Sequence, residues 1–175
     1  MTEKKDARVL DAAALKALAH PLRVEIVDQL TLHGAATASQ LAHRLDQNSG
    51  ATSYHLRQLA RHGLVREVEG AGTARERWWE VVPGGMQIHV PDDADPATLE
   101  SAKMIARQWA QQRFMQVDAF IRKGDTDLGE EWTEGSLLAS SRVDLTPDEL
   151  AEMSKALHDA MIEIRSRYLD RGKRP

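Results

Sequence analysis

The sequence predicts a mainly helical protein with a small β component: a module of short helices closed by a hairpin, then a C-terminal part built on two long helices with short strands. Three observations lead there. Apolar residues recur at three- and four-residue spacing through most of the 175 residues. Strand-like runs are confined to 64–69, 75–82 and two stretches further on. His20-Pro21, His33-Gly34, Gly63 and Pro83-Gly84-Gly85 punctuate the first half at short intervals, leaving room there only for short elements.

Composition narrows the class. A hydrophobic fraction of 42% with 29% charged residues describes a globular chain, long enough for one good core or two small ones. No stretch approaches the roughly 18 apolar residues of a membrane-spanning helix, and the opening MTEKKDARVL lacks the apolar centre of a secretory signal. The expectation is a cytoplasmic protein with no membrane partner. Cysteine is absent, which removes disulfides, thiolate metal sites and cysteine nucleophiles. The net charge of −4 argues against coating nucleic acid through bulk charge. That charge is uneven: residues 1–82 hold 11 Lys+Arg against 10 Asp+Glu, leaving 12 against 17 for residues 83–175. A polyanion contact therefore belongs to the first half, which also holds five of the seven histidines.

Residues 1–10 are charged and aperiodic and read as a flexible N-terminal arm. Asp11 can cap a first helix, DAAALKALA, built on the strongest helix formers. His20-Pro21 ends it and opens PLRVEIVDQLTL, because proline disfavours a helical residue before it yet suits a first turn. Leu22, Ile26, Val27 and Leu30 are the inner stripe of that second helix, which stops at His33-Gly34. Thr37 caps ASQLAHRL, whose Leu41, Ala42 and Leu45 face inward. After a break at 46–50 comes SGATSYHLRQLARHG, a helix opening after Asn48-Ser49-Gly50 and ending at Gly63.

That last helix directs Thr52, His55, Leu56 and Leu59 to one side and Ser53, Tyr54, Arg57, Gln58 and Arg61 to the other. The second face has no acid, two arginines and short hydrogen-bonding side chains near its N-terminus, a composition suited to approaching a polyanion and touching base edges. Many polar helix faces are only solvated, so the neighbours must decide. Two short helices joined by a turn, the second polar outward, form a helix-turn-helix pattern. Residues 64–69 and 75–82 then read as strands about a 70–74 loop, and a hairpin in that position is a wing. Arg75 and Arg77 near its tip can reach a phosphate or the minor groove, or pair instead with Glu67, Glu69 and Glu76 across the hairpin.

In that order, ALAHPLRVEIVDQL, ASQLAHRL and SYHLRQLARHGLVREVEGAGTARERWW resemble the ArsR/SmtB-type winged helix-turn-helix of bacterial transcriptional regulators. The most recognisable part is Ser53-x-His55-Leu56-Arg57-x-Leu59 followed by Gly63-Leu64-Val65. The likeness covers about 11–82. It implies four helices and two strands in a homodimer that binds a roughly palindromic operator as a repressor. Matched to this motif, the DNA contacts fall on Thr52, Ser53, Tyr54, His55, Arg57, Gln58, Arg61, Arg75 and Arg77, His55 supporting the helix as much as touching DNA. Metal-sensing members of the family use cysteines before the recognition helix or Asp/His/Glu sets on a terminal helix. The first are missing here, and the second reduce to His89 and to His158-Asp159 with Glu163. No metal and no cofactor are expected.

Residues 83–96 read as a linker holding a five-residue strand, 86–90, and an acidic turn. A long helix follows to about Lys123, with Ala102, Ile105, Trp109, Val117 and Phe120 on one stripe and Met104, Phe114, Met115 and Ile121 beside it. Residues 124–135 look acidic and turn-rich around Trp132, and 136–145 read as a strand able to pair with 86–90. Thr146-Pro147-Asp148-Glu149 is a helix start, from which Leu150, Met153, Leu157, Met161, Ile164 and Tyr168 run as a stripe to about 170, before a tail at 171–175. Residues 97–170 then serve as a dimerisation domain, alone or with a small-molecule effector pocket lined by Met104, Trp109, Phe114, Met115 and Met153. Such stripes are more often plain core than ligand box.

Three functional classes compete. The leading expectation is a dimeric regulator whose partners are double-stranded DNA and a second copy of itself. A winged module binding a protein partner is the alternative. An enzyme is not expected, because no nucleophile elbow, phosphate loop, carboxylate pair or metal triad occurs at a meaningful spacing.

Overall fold

The computed structural model describes residues 8–169 apart from 74–75, 92 and 138. They form two compact units, one up to Asp127 and one from Leu128 onward. The protein is mainly helical with small sheets, a winged helix-turn-helix followed by a helical C-terminal region. In chain order the elements are β1 (Arg8–Leu10), α1 (Ala12–Leu18), α2 (Pro21–His33), β2 (Ala36–Thr37), α3 (Ala38–Arg44), α4 (Ser49–Arg61), β3 (Val65–Thr73), β4 (Glu76–Val81), β5 (Met86–Ile88), α5 (Pro96–Leu128), α6 (Glu130–Glu134) and α7 (Pro147–Leu169). Among the described residues no helix is long and apolar enough to cross a membrane.

Side-chain caps set the helix starts in the first unit. Asp11 accepts from the Ala14 amide at 2.7 Å, and Thr37 and Gln40 exchange the two bonds of a capping box. Pro21 occupies the first turn of α2, and Gly34 ends it at φ +76°. The inner residues of α1 to α4, among them Leu15, Leu18, Val24, Ile26, Leu30, Leu41, Leu56 and Leu59, share one core with Leu64, Val65 and Trp79 of the sheet. Burial of each such leucine stabilises the fold by about 1.5–3 kcal/mol relative to its exposure.

The three-stranded sheet has the order β2-β4-β3 and is antiparallel throughout. Val65 faces Val81 and Glu67 faces Trp79; after an irregularity the pairing resumes at Gly72 with Arg77. Gly70 to Thr73, expected as loop, therefore belong to β3, since a bulge lets the ladder continue past the glycines.

Four further expectations are corrected. The end of the N-terminal arm is a strand: β1 pairs in parallel with β5, and Leu10 is buried in the core. Arg8 adds a hydrogen bond from Nη1 to the Gly63 carbonyl at 2.6 Å; residues 1–7 lie outside the described residues. The described pairing of β5 is with β1, and no strand occurs at 136–145 among the described residues. An isolated alternating run without a partner does not hold an extended ladder.

α5 passes through Gly124 to Leu128 and reaches 33 residues. A single glycine costs a helix only about 1 kcal/mol relative to alanine, so the break falls later, at Gly129 with φ +93°. Lastly, α5 does not begin a separate domain at 97. Its Ala102 and Ile105 are buried in the winged core with Trp109 packed beside them, and Gln108 Nε2 donates to the Pro21 carbonyl at 3.1 Å. Asp95 holds this helix start in place, accepting from the Thr98 amide at 3.0 Å, the Thr98 hydroxyl at 2.7 Å and Lys16 of α1 at 2.9 Å. The Thr98 hydroxyl and then the Lys16 ammonium hold its carboxyl well below the usual carboxylate range.

In the second unit Thr146 and Glu149 form the expected capping box, the Thr146 amide donating to Glu149 at 2.8 Å.

Candidate nucleic-acid interface

The turn between α3 and α4 is tight. Leu45 closes α3, Asp46 takes a left-handed φ of +50°, and Gln47 N donates back to the Ala42 carbonyl at 2.8 Å. Asp tolerates that backbone because its short side chain hydrogen-bonds locally. Asn48 then caps α4 by accepting from the Ala51 amide at 2.8 Å. The helix starts at Ser49, two residues earlier than its glycine suggested. Gly63 ends it at φ +64°, a backbone that favours glycine, with the tip of the Arg8 side chain lying against it.

This geometry separates the nine residues proposed for DNA contact. Thr52 is fully buried, and its hydroxyl donates to the Asn48 carbonyl at 3.0 Å. It braces the start of α4 and cannot touch a duplex, because threonine at this phase of the helix faces α2 and the core. His55 is partly buried as well. Its Nδ1 accepts from Arg23 Nε at 3.1 Å, and its ring lies 4.6 Å from that of His20. Burial, then the neighbouring His20 and Arg23, lower the pKa of His55, so the neutral imidazole is the form this site holds. His55 is therefore a strut between α4 and α2.

Ser53, Tyr54, Arg57, Gln58 and Arg61 form the outer face, with Tyr54, Arg57 and Arg61 exposed and Ser53 and Gln58 half-buried. Arg57 Nε donates only to the Ser53 carbonyl one turn earlier, at 3.2 Å. On the wing, Arg77 is exposed but ion-paired with Glu67 at 2.7 Å, and Arg66 is paired with Glu80 at 2.6 Å. Arg75 lies outside the described residues.

Between α4 and the wing runs a cleft of about 330 Å³, lined by the N-terminal residues of α3 and α4, by Ser53 and Arg57, and by Arg77 and Glu76 of β4. Ser39 and Ser49, both in the first turns of helices, join this lining and were not singled out in the sequence. Their signal was available: a hydroxyl in the first turn of a helix lies where the helix dipole favours an anion. Arg23 carried no such signal. Its contact with His55 spans 32 residues, and its Nη1 also reaches the Ala17 carbonyl at the end of α1.

Of the residues expected to line an effector pocket, Met153 belongs to the second unit, and the four on α5 do not share one face. Met104 borders an open hollow of about 400 Å³ with Pro21, Glu100, Arg107, Gln108 and Gln111. Trp109 packs on the core, while Phe114 and Met115 stand exposed on α5 and Met153 on α7. Steps of five residues turn a helix by about 140°, so Met104, Trp109 and Phe114 point in three directions. Among the described residues no group of three or more histidine, aspartate or glutamate side chains could hold a metal ion.

Residues 18–68 match the helix-turn-helix domain family. The matched helix-turn-helix segment contains α2, α3, α4 and the first residues of β3; most of the wing and all of α5 lie beyond it. No curated protein matches the chain. Similar solved structures include the AntR antimony-specific transcriptional repressor, 19% identical over 57% of this chain and 77% of that one, with a TM-score of 0.38. The transcriptional repressor PagR of Bacillus anthracis is 22% identical over 54% of this chain and 91% of its own, TM-score 0.36. A MarR mutant from E. coli complexed with operator DNA is 17% identical over 84% and 82%, TM-score 0.35.

Proposed function

We propose that the protein is a bacterial, cytoplasmic transcriptional regulator of the ArsR/SmtB type, a homodimeric repressor that binds a roughly palindromic operator. The observation that carries the reading is the cleft beside α4, where two helix N-termini, three serines and two arginines converge on one exposed surface, with Glu76 as its one acid. Amides at helix starts and the arginines favour phosphate oxygens, and the face of Ser53, Tyr54, Arg57, Gln58 and Arg61 then lies toward base edges in the major groove. Arg77 reaches the backbone by leaving Glu67, at the small cost of an exposed ion pair, about 0–1 kcal/mol. Two such helices, spaced about 34 Å apart by a twofold axis, read two half-sites. Thr52 and His55 hold α4 and make no DNA contact.

Selection of bound duplexes from genomic fragments, followed by a salt titration, tests this. Binding that falls steeply with salt and is lost when Arg57, Arg61, Arg75 and Arg77 are neutralised supports it. Protein that retains no duplex at low salt overturns it. The wing ion pairs Arg66–Glu80 and Arg77–Glu67 favour the second reading, a winged module for a protein partner, because they already satisfy both arginines described on the wing.

A further inference from the structure

α7 presents one apolar face that stands exposed among the described residues. Leu150, Met153, Leu157, Ala160 and Ile164 alternate in steps of three and four, the seven-residue period of a coiled-coil seam. The four large residues of this seam are 40–63% exposed, and Met161 and Tyr168 flank it equally open. An open apolar hollow of about 730 Å³ lies along it, lined by Ser154, Leu157, His158, Ala160, Met161 and Ile164. Charge is graded along the helix and the residues after it: 147–158 contain three acids and one base, 159–175 three acids and five bases.

We infer that α7 pairs antiparallel with the α7 of a second copy of this chain, about a twofold axis passing between Leu157 and Ala160. Leu157 of each copy enters the hollow beside the partner's Ala160, where the small side chain leaves room. Met153 meets the partner's Ile164, and the stem of Arg167 covers the partner's Leu150, its guanidinium exchanging Glu163 of its own helix for the acidic first turn. A twofold contact must be self-complementary, and α7, net acidic over 147–158 and balanced over 159–169, keeps its acidic start away from its own copy only when reversed. The parallel arrangement sets Asp148, Glu149 and Glu152 against their own copies and aligns the two helix dipoles unfavourably. This inference rests on the homodimer of the regulator reading and specifies the surface that makes it.

The chain has no cysteine of its own, so introduced thiols report only the contact under test. Full-length Met153→Cys and Ile164→Cys are prepared separately, mixed under reducing conditions, then oxidised at low protein concentration. Antiparallel pairing gives a covalent dimer in the mixture and none in either variant alone, since 11 residues along a helix separate like positions by about 16 Å, beyond the roughly 7 Å limit for a disulfide. A disulfide in Met153→Cys alone means a parallel seam and overturns the inference. No disulfide in any sample also overturns it. Light scattering and duplex binding on the same samples separate the two readings: a DNA-binding dimer without the mixed disulfide sinks only the α7 contact, whereas failure to bind duplex sinks the regulator.

Discussion

Arg57→Ala isolates what the outer face of α4 does. The side chain is exposed, and its one described bond runs to the Ser53 carbonyl of its own helix. Its removal therefore changes stability by no more than about 0.5 kcal/mol, the usual range for a surface substitution, and alanine is the better helix former in any case. A bidentate arginine–guanine contact contributes about 1–3 kcal/mol of discrimination, or roughly 5- to 150-fold at about 1.4 kcal/mol per tenfold. A twofold dimer loses the contact in both half-sites, so the penalty on a palindrome is about 2–6 kcal/mol, provided both half-sites carry the guanine. Fluorescence anisotropy with a selected operator, at one moderate salt concentration, measures the affinity, and calorimetry measures the Tm. Unchanged operator affinity at unchanged Tm refutes the assignment of Arg57 to the interface; a fall in both means that Arg57 holds the fold and that its exposure has been misread.

Three other outcomes are expected. Leu56→Ala empties a fully buried site under α4 and should destabilise the chain by about 2–5 kcal/mol, read as a lower denaturation midpoint; a cost under 1 kcal/mol would contradict its place in the core. His55, with its pKa below 6.5 in the folded state, binds a proton more readily when unfolded. Stability should thus be highest above pH 6.5 and fall as the pH drops through 6.5 toward the folded-state value, and His55→Gln should flatten that part of the profile. A histidine-independent slope would show that His55 is not the group responsible. Asp28 of α2 is 7% exposed and lies 3.1 Å from the Arg113 guanidinium of α5, with Gln116 Nε2 at 3.4 Å from its other oxygen. Arg113→Ala leaves this carboxylate buried without its cation and should cost about 1–3 kcal/mol. Adding Asp28→Asn should recover part of the loss, and urea melts of the two single variants and the double variant check the coupling.

Local chemistry was legible before any coordinates. Asp11, Thr37 and the Thr146–Glu149 box cap the helices they were read as capping, and Gly34 and Gly63 end theirs, because a cap is satisfied within four residues of chain. The division of α4 was legible for the same reason: helical phase alone separates Leu56 and Leu59 from Arg57 and Arg61. Assigning Thr52 to DNA came from its place in a motif, while helical phase had already turned it inward; His55, expected to support the helix as much as to touch DNA, is half-buried and bonded to Arg23.

Other features depended on distant partners. Whether residues 8–10 are strand or arm is decided by β5, about 78 residues away in the register. The burial of Asp28 and the Arg23–His55 contact likewise need side chains far apart in the chain to be brought together. The sequence by itself determined the helices of the winged module, their caps and the polar face of α4, since these follow from interactions within a turn or two of backbone. Only the tertiary structure decided which strands meet, that α5 packs on the winged core, and that α4 is braced by histidine and arginine from beneath, because those depend on which surfaces are left over once the local elements have formed.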